Sequence, residues 1–204
     1  MEQTTEHQDG PSVGPARKSF FQTGFGKFVE NVLYIIGAVV CAAFIQAFII
    51  RPFIVSGTSM DPIIQNGQYL IIDEVSYHIH EPERGDVIVF KAPPEPTKYY
   101  IKRIIGLPGD TVHLKDGKIT ITNAANPKGF TLSEPYLKHL SNDDGTFVVT
   151  PGNYFVMGDN RTGSYDSRSW GMLPEANIRG RALLRLLPVT TISVLPGKES
   201  YEQQ

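Results

Sequence analysis

A single apolar run near the N-terminus limits what this chain can fold into. Residues 32–50 carry no charged side chain, and Gln46 is the only clearly polar residue among them. A helix needs about 20 mostly apolar residues to cross the hydrocarbon core of a bilayer, and this run just meets that length. The alternative is a buried core helix of a soluble protein. We predict one transmembrane helix over residues 32–50, which leaves residues 51–204 as a separate domain.

The charges that flank this run predict its orientation. Arg17, Lys18 and Lys27 precede it, whereas Arg51 is the only basic residue close behind it. Because basic segments tend to stay in the cytoplasm, we expect residues 1–31 to form a cytoplasmic tail and the domain to lie outside. The tail begins with a polar stretch and is predicted to be largely disordered. The run is longer than the apolar core of a cleavable signal peptide, so we expect an uncleaved anchor.

Composition argues against several classes of function. The formal net charge is −2, and the sequence has no basic stripe of the kind that binds nucleic acid. The single cysteine, Cys41, lies within the predicted span, so we expect no disulfide in the domain. His78 and His80 would share one face of a strand, but two ligands are too few for a zinc site. We therefore expect no metal and no other cofactor.

The domain is predicted to be mostly β. Short runs of β-branched and aromatic residues alternate with turn residues, which is typical of strands. Asp116-Gly117 lies between two alternating runs and strongly indicates a hairpin. We predict strands within residues 69–72, 86–90, 99–105, 111–115, 118–122, 153–157 and 178–187. These strands would form coiled antiparallel sheets, with residues 123–150 as a loop-rich insertion.

Two residues of the domain suggest nucleophilic chemistry. Lys102 lies in the apolar run YYIKRII at residues 99–105, and burial of a lysine disfavours its charged form and lowers its pKa. A neutral amine can act as a base, and Ser59 lies in an exposed-looking segment just after the anchor. The alternative is an edge-strand lysine whose ammonium group reaches solvent. A base, a hydroxyl nucleophile and an anchor together predict a serine hydrolase at a bilayer surface.

Four stretches resemble one family, both in sequence and in order along the chain. They are SMDP at residues 59–62, RGDVIVF at 84–90, YIKRIIGLPGD at 100–110 and GDNRTGSYDSR at 158–168. The chain thereby closely resembles the bacterial type I signal peptidases, which are serine proteases of family S26. The single span and the small exterior domain are similar to those of the compact Gram-positive members. The resemblance implies a coiled antiparallel β domain held by one transmembrane helix.

The resemblance implies a role for each matching residue. Ser59 would be the nucleophile and Lys102 the general base of a Ser-Lys dyad, and the hydroxyl of Ser164 would help to orient the lysine amine. The implied charged supporting residues are Asp159, Asp166 and Arg168. The implied substrate-binding residues are Phe53, Val55, Gly57, Met60, Tyr100 and Ile101. Without the resemblance, the stretch at 158–168 would be interpreted as a surface loop with an exposed ion pair, which contributes little.

The resemblance also implies the reaction and its setting. Exported preproteins would be cleaved after Ala-X-Ala-like sites at a bacterial cell membrane, against the lipid bilayer and near the secretion translocon. Residues −1 and −3 of an extended substrate point to the same face, where two shallow pockets would select small side chains. Two alternatives stay open: a self-cleaving Ser-Lys protein similar to SOS-type repressors, and a non-catalytic assembly factor of the same fold. The presence of both Ser59 and Lys102 disfavours the second.

One position departs from part of the family. Many members carry a serine two residues before the nucleophile, and its hydroxyl donates to the developing oxyanion, whereas this chain has Gly57. We expect the backbone N–H of Ser59 to donate, together with a second donor that the sequence does not identify. Glycine at this position suggests an unusual φ or a close backbone approach.

Overall fold

The structure is a computed structural model that describes residues 24–48 and 50–201. Its helices are α1 (Gly24–Phe48) and α2 (Ser167–Trp170), with short 3₁₀ turns at Ser76–His78, Glu175–Asn177 and Val189–Thr191. Its strands are β1 (Ile50–Ile54), β2 (Tyr69–Asp73), β3 (Val87–Ala92), β4 (Glu95–Gly106), β5 (Thr111–Lys115), β6 (Lys118–Thr122), β7 (Phe130–Thr131), β8 (Gly145–Val148), β9 (Asn153–Met157), β10 (Leu173–Pro174), β11 (Ile178–Leu187) and β12 (Ser193–Val194). Contacts divide the chain into two units, Met1–Phe44 and Ile45–Gln204.

Helix α1 is apolar along most of its length. Its segment Gly24–Ala42 has a mean hydropathy of 1.6, and only 6% of that segment is buried, so it is long and apolar enough to cross a membrane. The described helix already includes residues 24–31, which precede the span predicted at residues 32–50. Residues 24–31 of the predicted disordered tail are therefore helical, and residues 1–23 lie outside the described residues.

The second unit consists of two antiparallel sheets, which confirms the mostly β prediction. The larger sheet has the order β1-β2-β11-β3-β4-β9-β10, with β12 paired to β11, and the smaller sheet has the order β7-β6-β5-β8. All seven predicted strands are present as β2, β3, β4, β5, β6, β9 and β11. The predicted hairpin joins β5 to β6, and Asp116 and Gly117 have φ angles of 48° and 73°, as a two-residue hairpin turn requires.

The segment at 123–150 contributes more than loops. It contains β7 and β8, which form the two outer strands of the smaller sheet by pairing with β6 and β5. Both strands are short, so neither carries the long alternating pattern by which the inner strands were predicted. The segment is thus partly built into the fold, and its remaining residues lie between these strands.

The larger sheet has two strand edges that are unpaired among the described residues. Among residues 24–48 and 50–201, strand β1 ends the sheet and pairs only with β2. Strand β4 pairs with β3 from Glu95 to Arg103, but its pairing with β9 begins at Arg103. Residues 99–102 of β4 therefore keep one edge unpaired within the described part of the chain. Unpaired N–H and C=O groups of this kind can accept an additional strand.

The turn between β1 and β2 is held against the core on both sides of residue 59. Met60 is 1% exposed and Ile64 is fully buried, and both belong to an apolar cluster beneath the sheet. The other buried members of this cluster are Val55, Leu70, Ile72, Val87, Val89 and Ala182. Burying a side chain of this size contributes roughly 1.5–3 kcal/mol, so the turn has a rigid base.

Candidate active site

Ser59 and Lys102 are brought together from the turn after β1 and from the middle of β4. The Nζ atom of Lys102 lies 2.7 Å from Ser59 Oγ and donates to the carbonyl oxygen of Ile101 at 3.0 Å. Lys102 is only 4% exposed, so the solvent-exposed strand lysine considered as an alternative is wrong. The 2.7 Å distance allows the serine hydroxyl to donate to the nitrogen lone pair once the amine is neutral.

The environment of Lys102 favours the neutral amine. Burial lowers the pKa of Lys102 from its usual 10.5 to about 8, while Asp166 and Asp159 oppose this shift and Arg168 adds to it. The sequence places no carboxylate near residue 102, but the fold brings these two close. Each is paired with an arginine, which limits how far it can stabilise the ammonium form.

The first of these carboxylates belongs to a buried ion pair. Arg168 donates from Nε to Asp166 Oδ1 and from Nη2 to Asp166 Oδ2, both at 2.8 Å. Asp166 is fully buried, and the side chain of Arg168 is 10% exposed. Asp166 also accepts from the backbone N–H of Gly158 at 3.0 Å and from that of Arg168 at 3.3 Å. The alternative of an exposed surface ion pair is therefore wrong for these two residues.

The second carboxylate is paired in the same way with a residue that we did not single out from the sequence. Arg103 donates to Asp159 from Nε at 2.8 Å and from Nη2 at 2.7 Å, and both side chains are fully buried. Arg103 also donates to the carbonyl oxygens of Gly85 and Gly197. Because β-strand residues alternate, Lys102 and its neighbour Arg103 point to opposite faces, as the sequence predicts.

Two further residues of the 158–168 stretch fix the backbone around Ser59. Asn160 donates from its backbone N–H to the Ser59 carbonyl at 3.0 Å, and from Nδ2 to the Thr58 carbonyl at 3.2 Å. A Cβ atom on Gly158 would lie 2.3 Å from the Ser59 carbonyl oxygen and 2.2 Å from Ser164 Oγ. Only glycine fits there. Both residues lie inside the stretch that carries the family resemblance, so the sequence located them without assigning them a role.

Ser164 lies beside this backbone contact, and its hydroxyl is not bonded to the lysine. Its Oγ atom is buried and has no hydrogen-bond partner among the described residues. A buried hydroxyl without a partner loses hydrogen bonds that it would make in water. The geometry therefore leaves Ser164 with an open acceptor close to the Ser59 backbone.

A cleft of about 330 Å³ lies along the two free strand edges. Five of the six predicted substrate-binding residues line it, namely Phe53, Val55, Gly57, Tyr100 and Ile101, whereas Met60 is buried in the core instead. Tyr99, which begins the strand predicted at residues 99–105, and Tyr165, which we did not predict, also line the cleft. The rings of Phe53 and Tyr99 meet edge to face at 5.5 Å, so aromatic side chains connect β1 with β4 at this cleft.

Gly57 has the unusual backbone expected of it. Its φ is +103°, and its N–H donates to Asn66 Oδ1 at 2.9 Å. A side chain in this conformation is strained, so a serine could not replace Gly57 without cost. The N–H of Gly57 is also already bonded. The N–H of Ser59 makes no hydrogen bond within the described residues and is free to donate to an oxyanion.

No metal site accompanies these groups in the described part of the chain. Among residues 24–48 and 50–201, no three His, Cys, Asp or Glu side chains are grouped so that they could hold a metal ion. The reactive groups of the cleft are a hydroxyl, an amine and backbone N–H donors. Such groups can carry out acyl transfer through a serine ester.

Comparisons with known proteins identify the family of this chain. The family described as "Signal peptidase, peptidase S26" matches residues 28–187. Signal peptidase I of Bacillus licheniformis is 38% identical over 175 residues, which cover 80% of this chain and 90% of the relative. Signal peptidase I of Leptolyngbya laminosa is 33% identical over 199 residues, or 94% of this chain and 96% of the relative. A crystal structure of a signal peptidase I from Enterococcus faecalis is 36% identical and covers 50% of this chain and 97% of its own, with a TM-score of 0.44. The chain belongs to the signal peptidase family, peptidase family S26.

Proposed function

We propose that this signal peptidase cleaves preproteins with a Ser-Lys dyad formed by Ser59 and Lys102. The observation that carries the proposal is the 2.7 Å contact between Ser59 Oγ and a lysine amine whose pKa burial lowers to about 8. Serine is a weak nucleophile at its free pKa and needs an adjacent base. A lysine at its usual pKa would be almost entirely protonated at neutral pH and could not serve.

The groups of the site support each step of an acyl transfer. Neutral Lys102 takes the Ser59 proton as Oγ attacks the carbonyl carbon, and the free N–H of Ser59 donates to the oxyanion that forms. The lysine ammonium then gives its proton to the leaving amine, which leaves an ester on Ser59. Lys102, neutral again, takes a proton from the water that attacks the ester carbonyl, and returns that proton to Ser59 Oγ as the ester bond breaks. We propose that the unpartnered Ser164 Oγ accepts an N–H of the amine during these steps.

The free edges of β1 and β4 support binding of the substrate as an extended strand. Residues −1 and −3 would then point into the cleft together, where Val55 and Ile101 would limit their size. Backbone hydrogen bonds would supply affinity, and the pockets would supply specificity for Ala-X-Ala-like sites.

Helix α1 supports membrane anchoring, which would hold the catalytic unit at the membrane into which signal peptides insert. We propose that its N-terminal flank faces the cytoplasm and that the catalytic unit lies outside a bacterial cell membrane, near the translocon and in contact with lipid. The basic residues Arg17, Lys18 and Lys27 precede the span predicted at residues 32–50 and favour this orientation. This orientation is tested with intact protoplasts, in which an added protease should digest the catalytic unit.

The pH dependence of cleavage tests the base. Cleavage of a purified preprotein should rise about tenfold per pH unit below pH 8 and level off above it, since only neutral Lys102 can accept the proton. Initial rates between pH 5 and pH 10 measure this limb, and fluorescence of Trp170, the single tryptophan, checks that the protein stays folded. A rate that is already constant from pH 5 upward would show that a carboxylate or a histidine is the base.

The size of the pockets should set substrate choice. A large residue at −1 or −3 should block cleavage, whereas position −2 should be permissive. Val55→Ala or Ile101→Ala should raise kcat/KM for a valine at −1, relative to alanine, by about tenfold, because removed methyl groups leave space. Val148→Ala, at a residue that is 63% exposed in β8 and does not line the cleft, is the control. Equal sensitivity at −2 would contradict the extended-strand geometry.

A further inference from the structure

One carboxylate outside the family-like stretches binds the loop at residues 158–168, which we call the catalytic loop. Glu134, from the segment at 123–150, accepts from Arg161 Nη1 at 2.7 Å and from Nη2 at 2.5 Å. The side chains of Glu134 and Arg161 are 5% and 2% exposed. Tyr136 also donates its hydroxyl to Glu134 Oε1 at 2.9 Å. The carboxylate is therefore desolvated, and its partners fix it in one position.

Arg161 also binds the backbone of Gly158, which lies beside the Ser59 carbonyl. Its Nε atom donates to the carbonyl oxygen of Gly158 at 3.1 Å. Gly158 lies so close to the Ser59 carbonyl and to Ser164 Oγ that a single added carbon would collide with both. The Gly158 N–H is bound by Asp166 Oδ2 at 3.0 Å. The peptide groups on both sides of Gly158 are thus held by charged side chains, one of which depends on Glu134.

We infer that Glu134 is a positioning residue for signal-peptide cleavage, acting through Arg161 to fix Gly158 against the Ser59 backbone. The inference rests on the proposed Ser59–Lys102 dyad. A buried ion pair is by itself weak evidence for a stabilising role, since desolvation can exceed the Coulomb gain. What distinguishes this pair is that the Nε atom of its arginine binds Gly158, the residue that packs against the Ser59 carbonyl.

The position of Glu134 predicts which kinetic constant it affects. The cleft is lined by residues 53–59, 70, 89, 99–102, 163 and 165, and Glu134 is not among the lining residues. Loss of the carboxylate should therefore leave substrate affinity nearly unchanged. A displaced Gly158 would shift Ser59 relative to the Lys102 amine, and a misplacement of about 1 Å can cost roughly 100-fold in rate. The loss should appear in kcat.

Glu134→Gln is the first test, since it keeps the shape and removes the charge. We expect kcat for preprotein cleavage to fall about 10- to 100-fold, with KM changed by less than about threefold. Asp110→Asn is the matched control. Asp110 is 2% exposed and pairs with Arg84 at 2.8 Å. Its carboxylate accepts hydrogen bonds from the Leu107 N–H and from Asn123 Nδ2, and not from the catalytic loop. It should lose stability without a comparable loss of kcat.

A double-mutant cycle separates positioning from general stability. If Glu134 acts only through Arg161, Glu134→Gln combined with Arg161→Gln should lower kcat no further than Arg161→Gln alone, whereas independent roles would multiply. If Glu134→Gln does not fold, Glu134→Met with Arg161→Met replaces the pair by apolar side chains, which often preserves stability. That protein should fold and should still lose kcat about 10- to 100-fold, because the Gly158 carbonyl has lost its donor.

Three results would overturn the inference: a folded Glu134→Gln or Met/Met protein with wild-type kcat, a loss equal to that of Asp110→Asn, or multiplicative losses in the cycle. Each of these is distinguishable from failure of the dyad. If Ser59→Ala or Lys102→Met keeps activity, the proposed function fails. If both are inactive while Glu134→Gln has wild-type kcat, the dyad stands and only the positioning role falls.

Discussion

Ser59→Ala or Lys102→Met is expected to lower preprotein cleavage by at least about 10³-fold, as removal of a catalytic nucleophile or base does in other serine proteases. Alanine has no oxygen to form the ester, and methionine has no lone pair basic enough to take the serine proton. The measurement is kcat/KM on a purified preprotein, with each variant shown to be folded. A folded Lys102→Met protein that keeps more than about a tenth of the activity would place the base elsewhere.

Lys102→Met should increase the stability of the protein although it removes the activity. Because the pKa of Lys102 falls from 10.5 to about 8 on folding, the unfolded chain binds more protons between these values, and stability rises with pH across that window. At neutral pH the buried lysine therefore costs up to about 3 kcal/mol. Lys102→Met should raise the unfolding midpoint at pH 7, and the difference from wild type should shrink as pH rises from 8 to 10.5. An inactive but more stable protein would separate loss of the base from loss of the fold.

Elements that carry their own periodic pattern could be predicted from the sequence. The alternation of residues in β4 correctly places Lys102 and Arg103 on opposite faces, and the turn Asp116-Gly117 correctly marks the hairpin. The sequence indicated an extended edge only from Phe53 to Gly57, and strand β1, which contains Pro52, was not among the predicted strands because Ile50 was assigned to the span. The structure shows it as an edge strand, where proline is tolerated.

Charged partners of the site could not be predicted in the same way. Arg103 and Asp159 are 56 residues apart in the chain, and Glu134 and Arg161 are 27 apart. No local period links such pairs, so only the folded chain shows that each carboxylate has an arginine. The same limit applies to the acid groups near Lys102, which are absent from its neighbourhood in sequence and present in space.

Breaking the Arg103–Asp159 pair should have the largest effect on stability of any single substitution considered for the site. Asp159→Asn leaves a fully buried guanidinium without its counter-charge, and removal of one partner of a buried ion pair typically costs about 3–5 kcal/mol. For a domain of this size that corresponds to a decrease in Tm of roughly 6–20 °C. Thermal unfolding of the wild-type and variant proteins at pH 7 measures it. Arg103 keeps its bonds to the carbonyls of Gly85 and Gly197, which should hold the loss near the lower end.

Two further measurements test whether the effects of Asp159→Asn come from the buried charge or from a general loss of stability in its loop. Glu83→Gln removes the carboxylate of a pair with Lys198 in which Glu83 is 68% exposed, so its Tm should stay within about 2 °C of wild type. In folded Asp159→Asn, the acidic limb of the cleavage profile should also move below pH 8. Asp159 favours the charged form of Lys102, so its loss lowers the lysine pKa further, and the uncompensated Arg103 acts in the same direction. If Tm falls while the limb stays at pH 8, Asp159 supports the fold without tuning the base.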